Sequence, residues 1–247
     1  DGYIVGVAVA TEKETVYFPL HHSDVDTSDD KEKEFWDKMN ERLLQNDKIT
    51  KVFHNAMYDV CWMRAKTGKK IKGRIVDTMI AASVIDENKF KYSLDALSKE
   101  YLNEGKYKYD LENLVLKDSK GVKKNALSNM HEVSAEIATQ YAKQDVNLTL
   151  KLWNIFNKKL DEVLYTKPDT REEKTCRKIF ELETRLFPCL VDIKFKGVRI
   201  DTNKLETLGE KLKFRRDNLL NIIEKHTGIK VQIWAASSVK TLLQQQN

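Results

Sequence analysis

Cysteine is scarce: three residues in 247, at Cys61, Cys176 and Cys189. They are odd in number, far apart, and form no Cys-x-x-Cys pair, which argues against a zinc site or a disulfide framework. A reducing, intracellular compartment is the simpler reading. Long apolar runs are also missing. The most apolar stretch, Ile75 to Ile85, is interrupted by Asp77 and is too short to cross a bilayer, so no membrane partner is expected. The first residues read as a strand, not as a charged and apolar leader, so no export signal is visible. Internal repeats and low-complexity tracts are absent. What is there suits a packed protein. Hydrophobic residues make up 41% and charged residues 33%, enough for a core. The mean hydropathy is −0.56. The length fits one large domain, or one domain and part of a second.

The 43 basic and 38 acidic residues leave a net charge of +5, which is mild. Its distribution says more. Arg64, Lys66, Lys69, Lys70, Lys72 and Arg74 follow one another with no acid between them. A basic stripe of this kind can track a phosphate backbone. Charge alone favours the plainer interpretation, a solvated loop.

Hydrophobic periodicity predicts alternating strands and helices. Tyr3 to Ala10 and Val16 to Leu20 form an antiparallel pair about a polar turn. A chain seldom begins on a strand without a lead-in, which suggests a piece cut from something longer. A helix is expected over Lys31 to Leu44, a strand over Ile49 to Phe53, and a helix from Ala56 to about Lys66. Arg74 to Val76 is a short strand, with Asp77 as N-cap of a helix over Thr78 to Ile85. Tyr92 to Tyr101 is helical, and the lysine-rich stretch Lys106 to Asn129 is loop with a short helix. Ser134 opens a long helix to about Leu164. Lys167-Pro168-Asp169 marks a domain boundary, giving domains 1–167 and 168–247. Beyond it lie helices over Arg171 to Phe195 and Asp201 to His226, closed by Gly197 and Gly228, then a strand-like piece and a helix start at Ser237 or Ser238. The first domain is therefore expected to be α/β and the second mostly helical, without an obvious core of its own.

Two features carry chemistry. On the long helix, Ile137, Tyr141, Leu148, Leu152, Phe156 and Leu160 form an apolar stripe, and Asp145 lies on that stripe. An ionised carboxylate facing a core is costly unless paired or metal-bound. Tyr141 and Asp145 are four residues apart and share a face. A buried Asp that caps a helix or pairs with an Arg is an equally weighted alternative at this point. The second feature is Phe53-His-Asn-Ala-Met-Tyr-Asp59, in which Asn55 and Asp59 sit past the C-terminal end of a strand. Open α/β sheets place ligands there. Taken singly, a turn Asn and a first-turn helix Asp explain themselves. His21 and His22 are not read as a metal pair, because neighbours on a strand face opposite ways. Trp62 and Trp153 are read as core.

The ordered set resembles a known family. Asn55-x-x-x-Asp59, Asp77-Thr78-Met79-x-Ala81, Tyr92-Ser-Leu-Asp95-x-Leu97 and Tyr141-x-x-x-Asp145 are similar to the 3′→5′ proofreading exonuclease domain of family A DNA polymerases, in its tyrosine-bearing DEDD subclass. The likeness covers about residues 1–165. Glu181-x-Glu183 to Leu190, and Phe195-Lys-Gly-Val-Arg-Ile-Asp201 with the polar helix after it, resemble the passage from exonuclease into polymerase. Trp234 to Leu243 resembles the thumb. Each motif alone is weak; their order makes the likeness specific. The resemblance implies a ribonuclease H-like α/β fold, a mixed sheet flanked by helices, followed by a mostly helical partial thumb. It implies a site with two Mg²⁺ or Mn²⁺ ions, held here by Asp59 and Asp145. Tyr141 would orient the attacking water and Asn55 would shape the pocket. The substrate would be a single-stranded DNA 3′ end cleaved to nucleoside 5′-monophosphates. Tyr109 is a candidate base stacker and Lys69 and Lys70 candidate phosphate contacts; for Phe53, core packing is the expected fate.

One departure stands out. The family's first motif, Asp-x-Glu on the first strand, has no match: Asp1 precedes Gly2-Tyr3, and Glu12 and Glu14 lie in a turn. Truncation is the simplest explanation. With two of four acids, the chain is expected to be inactive by itself as nuclease, and without polymerase motifs it is expected to incorporate no nucleotide. A monomer in the cytoplasm of a bacterium or phage-infected host is expected, an organelle being the alternative place. Two other functions compete: a vestigial exonuclease fold serving as a structural or DNA-binding module, and an RNA exonuclease similar to ribonuclease D, which the polymerase-like segment disfavours.

Overall fold

The computed structural model describes residues 2–105, 116–117, 121, 123–166 and 173–244. The chain divides into two compact units, Asp1–Lys196 and Gly197–Asn247. The sequence-derived boundary at 167–168 falls outside the described residues.

The first unit opens with an antiparallel pair, β1 (Gly6–Ala10) and β2 (Thr15–Pro19), in the register Gly6 opposite Pro19 and Ala10 opposite Thr15. Thr11 ties the turn, its amide donating to Glu14 O at 2.8 Å and its hydroxyl oxygen accepting from Glu14 N at 3.1 Å. Gly6 lets the Tyr17 ring lie close: a Cβ there would fall 2.1 Å from the Tyr17 hydroxyl, and the ring would have to shift. A small hairpin follows, β3 (His21–His22) with β4 (Val25–Asp26). Helix α1 (Asp29–Met39) widens into a π turn over Asn40–Leu44. Trp36, Met39 and Leu44 pack beneath Val7 and Leu20.

The centre of the unit is a parallel pair. Strand β5 (Lys51–Phe53) runs beside β6 (Ile75–Asp77), and each leads directly into a helix, α2 (Ala56–Thr67) and α3 (Thr78–Ile85). Helix α4 (Leu94–Leu102) starts at Ser93, whose hydroxyl accepts from Ala96 N. Short strands β7 (Leu116–Lys117) and β8 (Lys123–Lys124) pair, and a 3₁₀ turn over Ala126–Glu132 precedes the long helix α5 (Ala135–Lys159). Among the described residues the strands form separate two-stranded ladders, antiparallel and parallel, not one continuous sheet.

Helix α5 organises the core. Leu148, Leu152, Phe156 and Leu160 are fully buried against Val76, Ala81, Ala82, Leu94 and Leu97. Burying four such side chains contributes on the order of 6–12 kcal/mol. The helix stops at Lys159, short of the expected Leu164, because burial ends there: Leu160 is 0% exposed and Leu164 67%. A short ladder, β9 (Tyr165–Thr166) with β10 (Glu173–Lys174), leads to α6 (Arg177–Lys196). Phe180 of α6 joins the α5 core, while Phe187 and Val191 pack on Ala56, Val60 and Ile75.

The second unit holds α7 (Thr202–Thr227) and α8 (Ala236–Gln244). Asp201 caps α7 by accepting from Lys204 N at 3.0 Å, and Gly228 closes it at φ +69°. Neither helix buries a residue, and Val231 is the buried apolar side chain of this unit among the described residues. The strand expected after Gly228 does not form. Residues 229–232 are irregular and 233–234 form a turn, with Ala235 N donating to Gln232 O. A lone extended segment without a pairing partner gains no ladder bonds.

Candidate active site

The site is built where β5 and β6 end. Asn55 follows β5 in the left-handed region, at φ 63° and ψ 51°. Asn tolerates this conformation better than other residues with a Cβ, and such positions cluster at functional sites. The turn is held from the neighbouring strand. Buried Asp77 accepts from Asn55 N at 3.0 Å, Ala56 N at 2.8 Å and Met79 N at 2.8 Å. One carboxylate therefore caps two helix N-termini, where anions are favoured. Thr78 donates its hydroxyl to Phe53 O at 3.1 Å, so it accepts from His54 Nδ1 at 2.9 Å.

Asp59 stands in the first turn of α2, half-buried. Desolvation pushes its carboxyl up to about 6, and the charge on Asp77 adds to the effect. Holding it ionised at neutral pH costs about 3 kcal/mol relative to water. A cation at this place would recover that cost.

Helix α5 carries Tyr141 and Asp145. The apolar stripe is split between two clusters. Ile137 and Tyr141 pack against Ala126 and Val133, while Leu148 onward enters the main core. Asp145 lies at the junction, with Oδ1 buried. Its position follows from how α5 is fixed. Asp24, in the β3–β4 turn, accepts from Ala135 N at 2.8 Å and caps the helix from outside, while Ser134 makes no side-chain cap bond. Thr15 donates to Asn147 Oδ1 at 2.5 Å, and α5 lies against β1, β2 and β5. The helix bearing Asp145 thus rests on the strand that runs into Asn55 and Asp59.

The remaining expected residues are placed as follows. Lys69 and Lys70 are exposed on the loop after α2. Lys70 donates to Asp192 at 2.6 Å, Arg64 to Asp192 at 2.5 Å, and Arg74 to Glu181 at 2.5 Å; Lys66 pairs with Glu32 at 2.8 Å. Four of the stripe's six cations thus serve internal ion pairs, so the stripe is not an uncommitted basic path. Tyr109 lies outside the described residues. Phe53 packs on the Ala56–Val60 cluster, as expected. His21 and His22 turn opposite ways: His21 faces Asp26, and His22 bonds Tyr17 and Val133 O. Trp153 packs against the main core, and Trp62 against Gly2 and Tyr58. Sequence reasoning gave Asp77 one helix to cap and missed the second. The available signal was that parallel neighbours β5 and β6 both run straight into helices.

A two-ion centre needs more donors than this. Among the described residues no three His, Cys, Asp or Glu side chains converge as a metal site. Both Asp77 oxygens are already taken by backbone amides. The donor set present does not fit a complete two-ion centre.

By fold the first unit is an exonuclease-type α/β domain. The POL domain of Pol1 from M. smegmatis, in complex with DNA primer-template and dNTP, matches 96% of this chain over 34% of its own, with TM-score 0.58 and 15% identity. Brucella melitensis NrnC bound to pGG matches 79% of this chain over 78% of its own, with TM-score 0.50 and 16% identity. The family model described as 3′-5′ exonuclease, that of the DNA polymerase A family, matches residues 2–161. The chain belongs to this family. DNA polymerase DpoZ of Acinetobacter phage SH-Ab 15497 is 27% identical over 231 residues, 92% of this chain and 34% of that one. DNA polymerase I of Pseudomonas aeruginosa is 27% identical over 215 residues, 85% of this chain and 22% of that one. The chain spans about a third or less of the length of these relatives.

Proposed function

We propose that this chain is the proofreading 3′→5′ exonuclease part of a family A DNA polymerase, followed by the start of the polymerase part from about residue 168 and a thumb segment in α7 and α8. The substrate is the single-stranded 3′ end of DNA, and the product a nucleoside 5′-monophosphate. Asp59 and Asp145 would be two of the carboxylates that hold Mg²⁺ or Mn²⁺ once further donors complete the set; Tyr141 would orient the attacking water, and Asn55 would shape the pocket. Lys69, exposed, is the better placed phosphate contact; Lys70 reaches one only by sharing Asp192. The protein acts as a monomer in the cytoplasm of a bacterial or phage-infected cell. One observation carries this reading: a desolvated, costly carboxylate at Asp59 beside left-handed Asn55, at the end of the strand on which the Asp145 helix lies.

One observation also favours a second reading. The absence of three converging ligands among the described residues suits a module that binds DNA without cutting it. The test is an assay with 5′-labelled oligonucleotides in Mg²⁺ and in Mn²⁺. The 247-residue chain is expected to hold a single-stranded DNA end in preference to RNA and to release no mononucleotide. Rapid release contradicts the donor count, and a preference for RNA contradicts the proofreading assignment.

A further inference from the structure

Helix α2 carries Asn55 at its cap and Asp59 in its first turn, yet it buries only Ala56 and Val60. Two small side chains make a thin packing face. Asp77 holds its N-terminal end. The bulk packed against it comes from α6, more than a hundred residues later, through Phe187 and Val191. The C-terminal end of α2 is held from the same helix. Arg64 is 17% exposed and donates to Asp192 Oδ1 at 2.5 Å, with its guanidinium 4.2 Å from the centre of the Phe195 ring. Lys70, just past the helix, donates to the other Asp192 oxygen at 2.6 Å. Asp192, at 43% exposure, is the acceptor that Arg64 and Lys70 share, so its removal frees the end of α2 and the loop after it together.

We propose that Asp192 is a positioning residue for the proposed active site. It fixes the last turn of α2 and the loop after it, and so sets where Asn55 and Asp59 stand. Together with Asp77 it pins α2 at both ends. Two basic residues that read in sequence as a nucleic-acid path are in this account the counter-charges of a strap. The strap lies in the segment that resembles the beginning of a polymerase, so the compact unit that carries the proposed site runs to Lys196, past residues 2–161 matched by the family model.

The inference rests on the assignment of Asp59, but its test needs neither metal nor DNA. Peptide-resolved amide hydrogen exchange is measured on the 247-residue chain, on Asp192→Asn and on Asp192→Glu. In Asp192→Asn, exchange across residues 56–67 is expected to rise at least tenfold, while residues 148–156 of α5 stay within twofold. The Asp59 amide resonance is expected to move, and both effects to return toward wild type in Asp192→Glu. Unchanged exchange in α2 overturns the proposal, as does a uniform rise in every helix, which is general destabilisation. Failure here leaves the proofreading assignment standing, since that is read separately from the preference for a single-stranded DNA end over RNA.

Discussion

Asp59 is kept at a cost, and that cost is measurable. Its folded-state pKa lies above the value of an unfolded Asp, at about 6 against 3.8. The proton is therefore held more tightly in the folded state. This contribution to stability is fully present below pH 3.8 and is lost as pH rises through 6. In EDTA, Asp59→Asn is expected to be more stable than wild type at pH 7.5, by up to about 3 kcal/mol, with the difference closing toward pH 4. Urea unfolding at both pH values checks it; an equal or less stable variant at pH 7.5 contradicts the desolvated site. Asp77 should behave in the opposite way. Asp77→Ala strands three backbone amides, two of them at the start of α2, and is expected to cost about 2–4 kcal/mol by the same measurement. The places of Asp59, after a strand end, and of Asp145, on the stripe of α5, were legible in the sequence because short motifs carry them. The second cap made by Asp77 was not, because it depends on which strands become neighbours.

Among the elements, most helix bounds were legible, with two misses: α5 ends at Lys159 and not near Leu164, and α6 begins at Arg177 and not at Arg171. Caps mark starts: Asp77, Ser93 and Asp201 each accept a backbone amide. Ends depend on burial. Leu164 continues the periodicity of α5 but finds no core, so the helix stops without it. The piece around Val231 has strand-like residues but no partner, and it turns instead. Ser134 opens α5 as expected, but the side chain that bonds its first amide is that of Asp24. Asp24→Ala is accordingly expected to cost about 1 kcal/mol and Ser134→Ala only a few tenths, with chemical denaturation as the check. The reverse order of effects would return the cap to Ser134.

At the scale of the molecule, charge patterning was the least reliable guide. The Arg64 to Arg74 stripe is continuous in sequence, but in space Asp192, Glu181 and Glu32 meet four of its cations. Those acids are distant in sequence from the stripe, so no local pattern reveals them. The fold class was legible as α/β followed by helices, and α7 and α8 bury almost nothing of their own. The attachment of α6 to the first unit was not, because its amphipathic pattern does not say which neighbour it serves. No helix among the described residues is long and apolar enough to cross a membrane. Asp59 and Asp145, from different elements, are proposed to serve one cation. Mn²⁺ titrated into isotope-labelled protein tests it by paramagnetic broadening. Resonances of residues 55–59 and 141–149 are expected to broaden in step, and Asp59→Asn or Asp145→Asn to relieve both segments together. Broadening confined to one segment, or insensitive to either substitution, would contradict the account.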